Sequence, residues 1–169
     1  NRHRHNANYL QEWPKWKRPI KLKAIDIQGN FLLEVPNLGQ YTSLEVLCLG
    51  QNRLSELGGM ASAGGLKVLT LGNRNPIRNI DLDYYYPNLP EPLQNSITSL
   101  DGLENLTALE KLFLDGLRLS EIPAFFGFSQ LSTLDLSNNQ ITKIKNLDQL
   151  IQLQSLDLGN NQITEIKNL

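Results

Sequence analysis

The residues that could carry chemistry are few. A nucleophilic thiol needs a base beside it, yet Cys48 is the single cysteine, and the two histidines, His3 and His5, stand near the N-terminus. These imidazoles could hold a metal ion, but no cysteine or third histidine accompanies them. Asp81 and Asp83 form a short acidic pair for which solvated turn chemistry is the simpler explanation. We therefore expect no enzyme activity, no metal site and no cofactor.

Charge is unevenly distributed along the chain. Residues 1–23 contain seven lysines and arginines against one glutamate, whereas the rest of the chain contains nine basic and sixteen acidic residues. Tyr9, Trp13 and Trp16 lie among the N-terminal cations, and single-stranded nucleic acid or an anionic membrane surface can use such a combination. Aromatic residues next to an apolar solenoid are better explained as a cover for its open end. We therefore do not expect nucleic acid to be a partner.

The N-terminal segment, residues 1–21, is predicted to be that cap. Asn6 is a suitable N-cap residue for a short helix. Leu10 would lie on its apolar face, and Pro14 would end it. The remaining residues, 22–169, are predicted to form one repetitive domain.

Composition places the chain among globular proteins. It has 169 residues, 40% of them hydrophobic and 20% charged, with a mean hydropathy of −0.31. No apolar run approaches the roughly 18 residues of a membrane-spanning helix. One cysteine gives no sign of an oxidising compartment, so we expect a cytoplasmic location. Because the first residue is Asn1, a removed signal peptide keeps secretion or cell-surface display in a bacterium as the alternative.

A repeat of 22 residues organises most of the chain. Its pattern is LxxLxLxxNxLxxLxxLxxLxx, and six leucines open a turn in register: Leu22, Leu44, Leu66, Leu109, Leu131 and Leu153. The LxL portion has the period of a strand with one buried face, and the later apolar positions recur every third residue. An asparagine follows most strands, and its amide can satisfy backbone groups of neighbouring turns, although Leu117 replaces it once.

These residues resemble the leucine-rich-repeat family, specifically the short 22-residue class seen in a regulatory subunit of protein phosphatase 1, in internalins and in Roco proteins. The resemblance implies a right-handed α/β solenoid of about seven turns. Its parallel sheet would line the concave face, and short helical or 3₁₀ turns the convex face. It also implies a non-catalytic module that binds a protein on the concave face. The alternatives are a regulatory region of a larger enzyme, such as a Roco-type GTPase, and a secreted bacterial adhesin similar to internalins.

The repeat is interrupted in residues 72–96. A turn counted back from Leu109 to Pro87 fits at Asn95 and beyond, but it has prolines where leucines belong. Proline cannot donate to a sheet ladder, so we expect a degenerate turn or a protruding loop. Three tyrosines in this stretch are predicted either to contact the partner along one edge or to cover the irregular turn: Tyr84, Tyr85 and Tyr86.

Outward-facing strand residues are expected to form columns on the concave face, because parallel strands keep equivalent residues side by side. We predict that Phe113 points to solvent as a central anchor, beside an apolar patch of valines and an acidic stretch that favours a partly basic partner. The predicted contact residues are Asp26, Val46, Val68, Lys111, Phe113, Asp115, Asp135 and Asp157.

The C-terminal end is expected to be open. Leu169 stands at position 17 of its repeat, with no atypical capping segment after it. We therefore expect the natural chain to continue, and the open end to be a surface through which this chain can associate.

Overall fold

The structure is a computed structural model that describes residues 2–4, 10–16, 21–75, 80–81 and 94–166. A 3₁₀ helix spans Gly58–Ser62. The strands in this part of the chain are β1 Arg2–Arg4, β2 Ala24–Asp26, β3 Val46–Cys48, β4 Val68–Thr70, β5 Arg74–Asn75, β6 Ile80–Asp81, β7 Lys111–Phe113, β8 Thr133–Asp135 and β9 Ser155–Asp157. Seven of them form a parallel sheet in the order β1-β2-β3-β4-β7-β8-β9, and β5 pairs with β6 in antiparallel orientation.

The core follows from the register of the sheet. The middle residues of β2, β3, β4, β7, β8 and β9 lie side by side: Ile25, Leu47, Leu69, Leu112, Leu134 and Leu156. All except the last are fully buried. Between strands, i→i−3 backbone hydrogen bonds such as Tyr41 N to Leu38 O (2.8 Å) turn every third residue inward. The predicted parallel-sheet solenoid is confirmed.

The described residues of the irregular stretch give no strand to the parallel sheet. β4 pairs directly with β7, with Leu69 opposite Leu112. Of the two alternatives for this stretch, the direct pairing contradicts a separate turn between these strands and leaves the protruding loop as a prediction.

Asn95 shows where that turn resumes. By the repeat spacing its asparagine position is 74, which holds an arginine, and Asn95 lies 21 residues later. The Asn95 amide donates to Leu71 O (2.8 Å) and to Leu49 O (3.0 Å), and its oxygen accepts from Leu54 N (2.9 Å). These are the contacts of a repeat asparagine. The 43 residues from Leu66 to Leu109 therefore contain one repeat of 22 residues and an insertion of 21 residues.

The N-terminal segment covers the first turn without the predicted helix in its described part. Residues 10–16 are not helical. Leu10 N donates to Asn30 Oδ1 (3.0 Å), and Leu10 O accepts from Phe31 N (2.8 Å). Both backbone groups of Leu10 are bonded to the first repeat and are therefore not used in helical hydrogen bonds. The segment takes an extended path instead. Asn6, the predicted N-cap, lies outside the described residues.

A cluster of three aromatic residues packs the N-terminal segment against the core. Trp13, Trp16 and Tyr41 pack edge to face, with ring centroids 5.9 to 6.2 Å apart. Trp13 Nε1 donates to Tyr41 Oη at 2.8 Å. Burial raises the pKa of Tyr41, although the hydrogen bond from Trp13 opposes that rise.

We expect Trp13→Ala to lower the free energy of unfolding by about 3 kcal/mol, because it removes a packed indole and leaves the buried Tyr41 hydroxyl without its donor. Urea unfolding would measure the change. Phe126→Ala is the control, since that ring is 69% exposed and its loss should change the free energy by less than about 0.5 kcal/mol. Equal effects of the two substitutions would show that Trp13 does not cover the core.

The last described turn is less buried than those before it. Leu153, Leu156 and Leu158 are half-buried, whereas the equivalent leucines of the preceding turn are fully buried. Ile166 is 78% exposed. The apolar positions of this turn therefore contribute less to stability than those in the middle of the solenoid.

We accordingly expect the backbone amides of residues 153–163 to exchange with solvent at least tenfold faster than those of residues 131–141, a difference of about 1.4 kcal/mol in local opening. Native-state hydrogen exchange followed by mass spectrometry would measure it. Equal protection of both turns in monomeric protein would contradict the expectation.

Candidate partner-binding face

The outer face of the parallel sheet carries two columns of side chains. The central column comes from the last residue of each strand: Asp26, Cys48, Thr70, Phe113, Asp135 and Asp157. The leading column comes from the first residue of each strand: Ala24, Val46, Val68, Lys111, Thr133 and Ser155. Both columns are in register from β2 to β9.

Most of the central column is buried. Phe113 is 8% exposed, so the prediction that it points to solvent was wrong. Its strand neighbours, Thr70 and Asp135, are 0% and 2% exposed. The register places these two residues on either side of Phe113, in strands about 4.8 Å away. Phe113 is thus part of a packed layer and offers little surface to an anchor-type contact.

The aspartates on this face hold the ends of the strands. Asp135 Oδ1 accepts from Ser137 N (3.0 Å) and Ser137 Oγ (2.7 Å), and Asp157 Oδ1 accepts from Gly159 N (2.9 Å). Both are turns in which a carboxylate binds the backbone two residues on. Asp115 Oδ2 accepts from Asn73 N at 3.0 Å, where the insertion begins. These carboxylates are engaged within the fold, which weakens the case for a basic partner.

The leading column is the more accessible of the two. Val46, Val68 and Thr133 are half-buried, and Lys111 and Ser155 are exposed. We call these five residues the leading strip. Sequence reasoning selected its valines and Lys111 and missed Thr133 and Ser155, although the same register places them in the column. At the other end, Ala24 is 7% exposed and lies outside the strip.

Ion pairs border one end of the leading strip. Lys23 Nζ lies 3.4 Å and Lys67 Nζ 3.7 Å from carboxylate oxygens of Glu45. The hydrogen bond from Lys23, followed by the charges of Lys23 and Lys67, lowers the pKa of Glu45. The ion pairs of Glu45 stabilise the folded protein slightly when the pH is above the ordinary glutamate pKa. This stabilisation is lost as the pH falls through the lowered pKa of Glu45. Among the described residues, no carboxylate pairs with Lys111.

Several other candidates are buried or lie beyond the described residues. Tyr84, Tyr85 and Tyr86 fall outside the described residues, as do His5 and the side chain of His3. The Cys48 thiol is fully buried. In the described ranges, no three His, Cys, Asp or Glu side chains are grouped as metal ligands, and no helix is long and apolar enough to cross a bilayer.

Residues 129–169 match the family model described as leucine-rich repeats in two copies. These matched residues are leucine-rich repeats. This match covers β8 and β9, and the common register extends the same architecture to the earlier strands. No curated protein matches the chain.

Solved structures with the same fold include three proteins of Listeria monocytogenes. Internalin InlF is 25% identical, with a TM-score of 0.58, and the match covers 83% of this chain and 36% of that structure. Internalin C2 is 22% identical with a TM-score of 0.61, and the match covers 86% of this chain and 55% of the structure. The functional domain of InlJ, which includes a cysteine ladder, is 22% identical with a TM-score of 0.57, at 86% and 32% coverage. The chain therefore spans from about a third to just over half of their lengths.

Proposed function

We propose that this chain is a non-catalytic module that binds a protein partner through the leading strip on the concave face. The observation that carries the proposal is the direct pairing of Val46 with Val68 and of Val68 with Lys111 in the parallel register. Two half-buried apolar residues and an exposed cation thereby form one surface. Since strands hold them, little conformational freedom is lost on binding.

The chemistry of the strip indicates what the partner offers. The valines fit an apolar side chain, and Lys111 fits a carboxylate next to it. Thr133 and Ser155 extend the strip with hydroxyl groups that both donate and accept hydrogen bonds. The partner surface is therefore apolar with an acidic element, which revises the basic partner expected from the sequence because the aspartates are engaged in the fold.

The test is a titration of a partner captured from cells that express the protein. Val68→Ser and Lys111→Glu should each weaken binding at least tenfold, as contacts at the centre of an interface do, with an unchanged unfolding midpoint. Lys143→Glu is the control, because Lys143 is exposed and lies in a connecting segment away from the strands. Wild-type affinity in both strip variants would place the interface elsewhere.

A second candidate follows from the internalin neighbours. We propose as the alternative that the chain is part of a larger internalin-like protein displayed by a bacterium, in place of a cytoplasmic module. The likeness in fold and the partial coverage of the three structures support it. Protease treatment of intact expressing cells distinguishes the two proposals, since protease added outside the cells cleaves only a displayed protein.

A further inference from the structure

Two adjoining depressions lie on the connecting segments of the solenoid, away from the strands. One, of about 200 Å³, is lined by residues that include Asp101, Glu104 and Phe126. The other, of about 320 Å³, is lined by residues that include Arg118. Both share Pro123 and neighbouring residues, so together they form one groove between residues 98–104 and 118–128. We call it the connecting groove.

An exposed aromatic ring stands in a rigid part of this groove. Phe126 is 69% exposed, whereas Phe125 and Phe128 are buried and pack edge to face with centroids 6.0 Å apart. The backbone next to it is fixed as well. Gly127 has φ +83°, and a Cβ at this position would lie 2.7 Å from the carbonyl oxygen of Glu104. The neighbouring residues therefore keep the Phe126 ring exposed to solvent, next to the backbone of Glu104.

The rim of the first depression is acidic, whereas Arg118 lines the second. Asp101 and Glu104 are exposed, and in the described part of the chain neither forms an ion pair. Both Glu104 carboxylate oxygens lie 3.0 Å from Gly102 N, which orients the group while leaving lone pairs for another donor. Glu121 is already paired with Lys145. Two exposed carboxylates beside an exposed ring, one of them oriented by Gly102 N, repel phosphate groups and attract a cation.

We propose that the connecting groove binds a short segment of a partner protein through an arginine side chain. An arginine guanidinium stacks on an aromatic face and donates in-plane hydrogen bonds to carboxylates, so one side chain can use Phe126, Asp101 and Glu104 together. The chain already contains one contact of this kind, with Arg53 Cζ 4.7 Å from the centroid of the Phe31 ring.

The occupant is a protein segment rather than an isolated cation, because the groove extends beyond the two carboxylates and has apolar as well as polar lining residues. Pro123 and Ala124 continue from Phe126 into the second depression. Apolar side chains that flank the arginine fit against them. This site is independent of the leading strip, since its residues come from the connecting segments and not from the strands.

The experiment uses defined peptides and NMR-detected titration of the whole chain. Acetyl-Leu-Arg-Leu-amide should shift the backbone amides of residues 101–104 and 124–127. The matched peptide with citrulline, which has the same shape and no charge, should bind at least fivefold more weakly. The same loss is expected for the arginine peptide with Asp101→Asn/Glu104→Gln and with Phe126→Ser.

Matched variants control for charge and for exposed apolar area. Glu34→Gln/Glu56→Gln removes two exposed carboxylates from the first two turns, and Ile151→Ser removes a side chain that is 77% exposed. Both should bind the arginine peptide as the wild type does. Equal binding of the two peptides, shifts spread evenly over the surface, or no shift at millimolar peptide would overturn the proposal. Self-association that Phe126→Ser abolishes would also overturn it, by making a second copy the occupant.

Discussion

Replacing Asn139 with alanine should lower the free energy of unfolding by about 3 kcal/mol or more, although it removes only a small polar side chain. Its Nδ2 donates to Leu114 O and Leu136 O, both at 2.9 Å, and its Oδ1 accepts from Leu119 N at 2.9 Å. Leu136 O keeps a second bond from Asn161, but Leu114 O and Leu119 N would lose their amide partner inside the protein. Each buried group left without a partner costs about 1–3 kcal/mol.

The neighbouring residue is the control for this substitution. Gln140 also carries an amide, but it is exposed, and Gln140→Ala should change the free energy by less than about 0.5 kcal/mol. Urea unfolding of the two variants shows whether the loss of stability depends on the buried position of the amide or follows from the loss of any amide. A small effect at both positions would mean that water or backbone adjustment replaces the bonds of Asn139.

The asparagine ladder was the part of this architecture most open to prediction. Asn52 and Asn161 make the same donor and acceptor contacts as Asn139. Asn30 likewise donates within its own turn and accepts from Leu10 N. A single residue type at a fixed spacing can be recognised without structure, because its amide has a defined set of donors and acceptors. Six strands of the parallel sheet, β2, β3, β4, β7, β8 and β9, were predictable for the same reason, since each one overlaps an LxL of the repeat. β1, β5 and β6 lie outside the repeat pattern and were not predicted.

The insertion and the burial of Phe113 depend on more than spacing. Asn95 fits the repeat pattern equally well as part of an extra turn or as the resumption of an interrupted one. Only the direct pairing of β4 with β7 decides between the two. The exposure of Phe113 depends on the side chains that pack around its ring. Alternation along a strand predicts which face a residue is on and not how much of that face is covered.

The leading strip and the connecting groove also differ in how far the sequence predicts them. Val46, Val68 and Lys111 were predictable as surface residues from their column. The connecting groove was not, because it arises between turns whose connecting segments differ in shape. Leu117 in place of the ladder asparagine and the left-handed backbone of Arg118, with φ +60°, mark where the fourth leucine-rich turn departs from the others. The missing asparagine was the sequence signal for such a departure.

Glycine at position 50 reveals how closely neighbouring turns approach. A Cβ on Gly50 would lie 1.9 Å from Gly72 O and 2.5 Å from Gln28 Nε2. The first of these atoms belongs to backbone, which cannot rotate away as a side chain can. Gln28 is 2% exposed, so its amide has little space to withdraw into. Accommodating even a methyl group would require two strand ends to separate.

We therefore expect Gly50→Ala to destabilise the protein by about 3 kcal/mol or more, at the upper end of the cost of overpacking. Gly58→Ala is the matched control, because its Cβ would meet no atom within 4 Å and its φ lies outside the left-handed region. That substitution should be neutral or stabilise by up to about 1 kcal/mol, since alanine restricts the unfolded chain. Thermal unfolding of both variants distinguishes steric crowding from a general effect of losing glycine. Similar melting temperatures would mean that the strand ends around Gly50 can move apart at little cost, and that the sheet face is less rigid than the proposed partner binding requires.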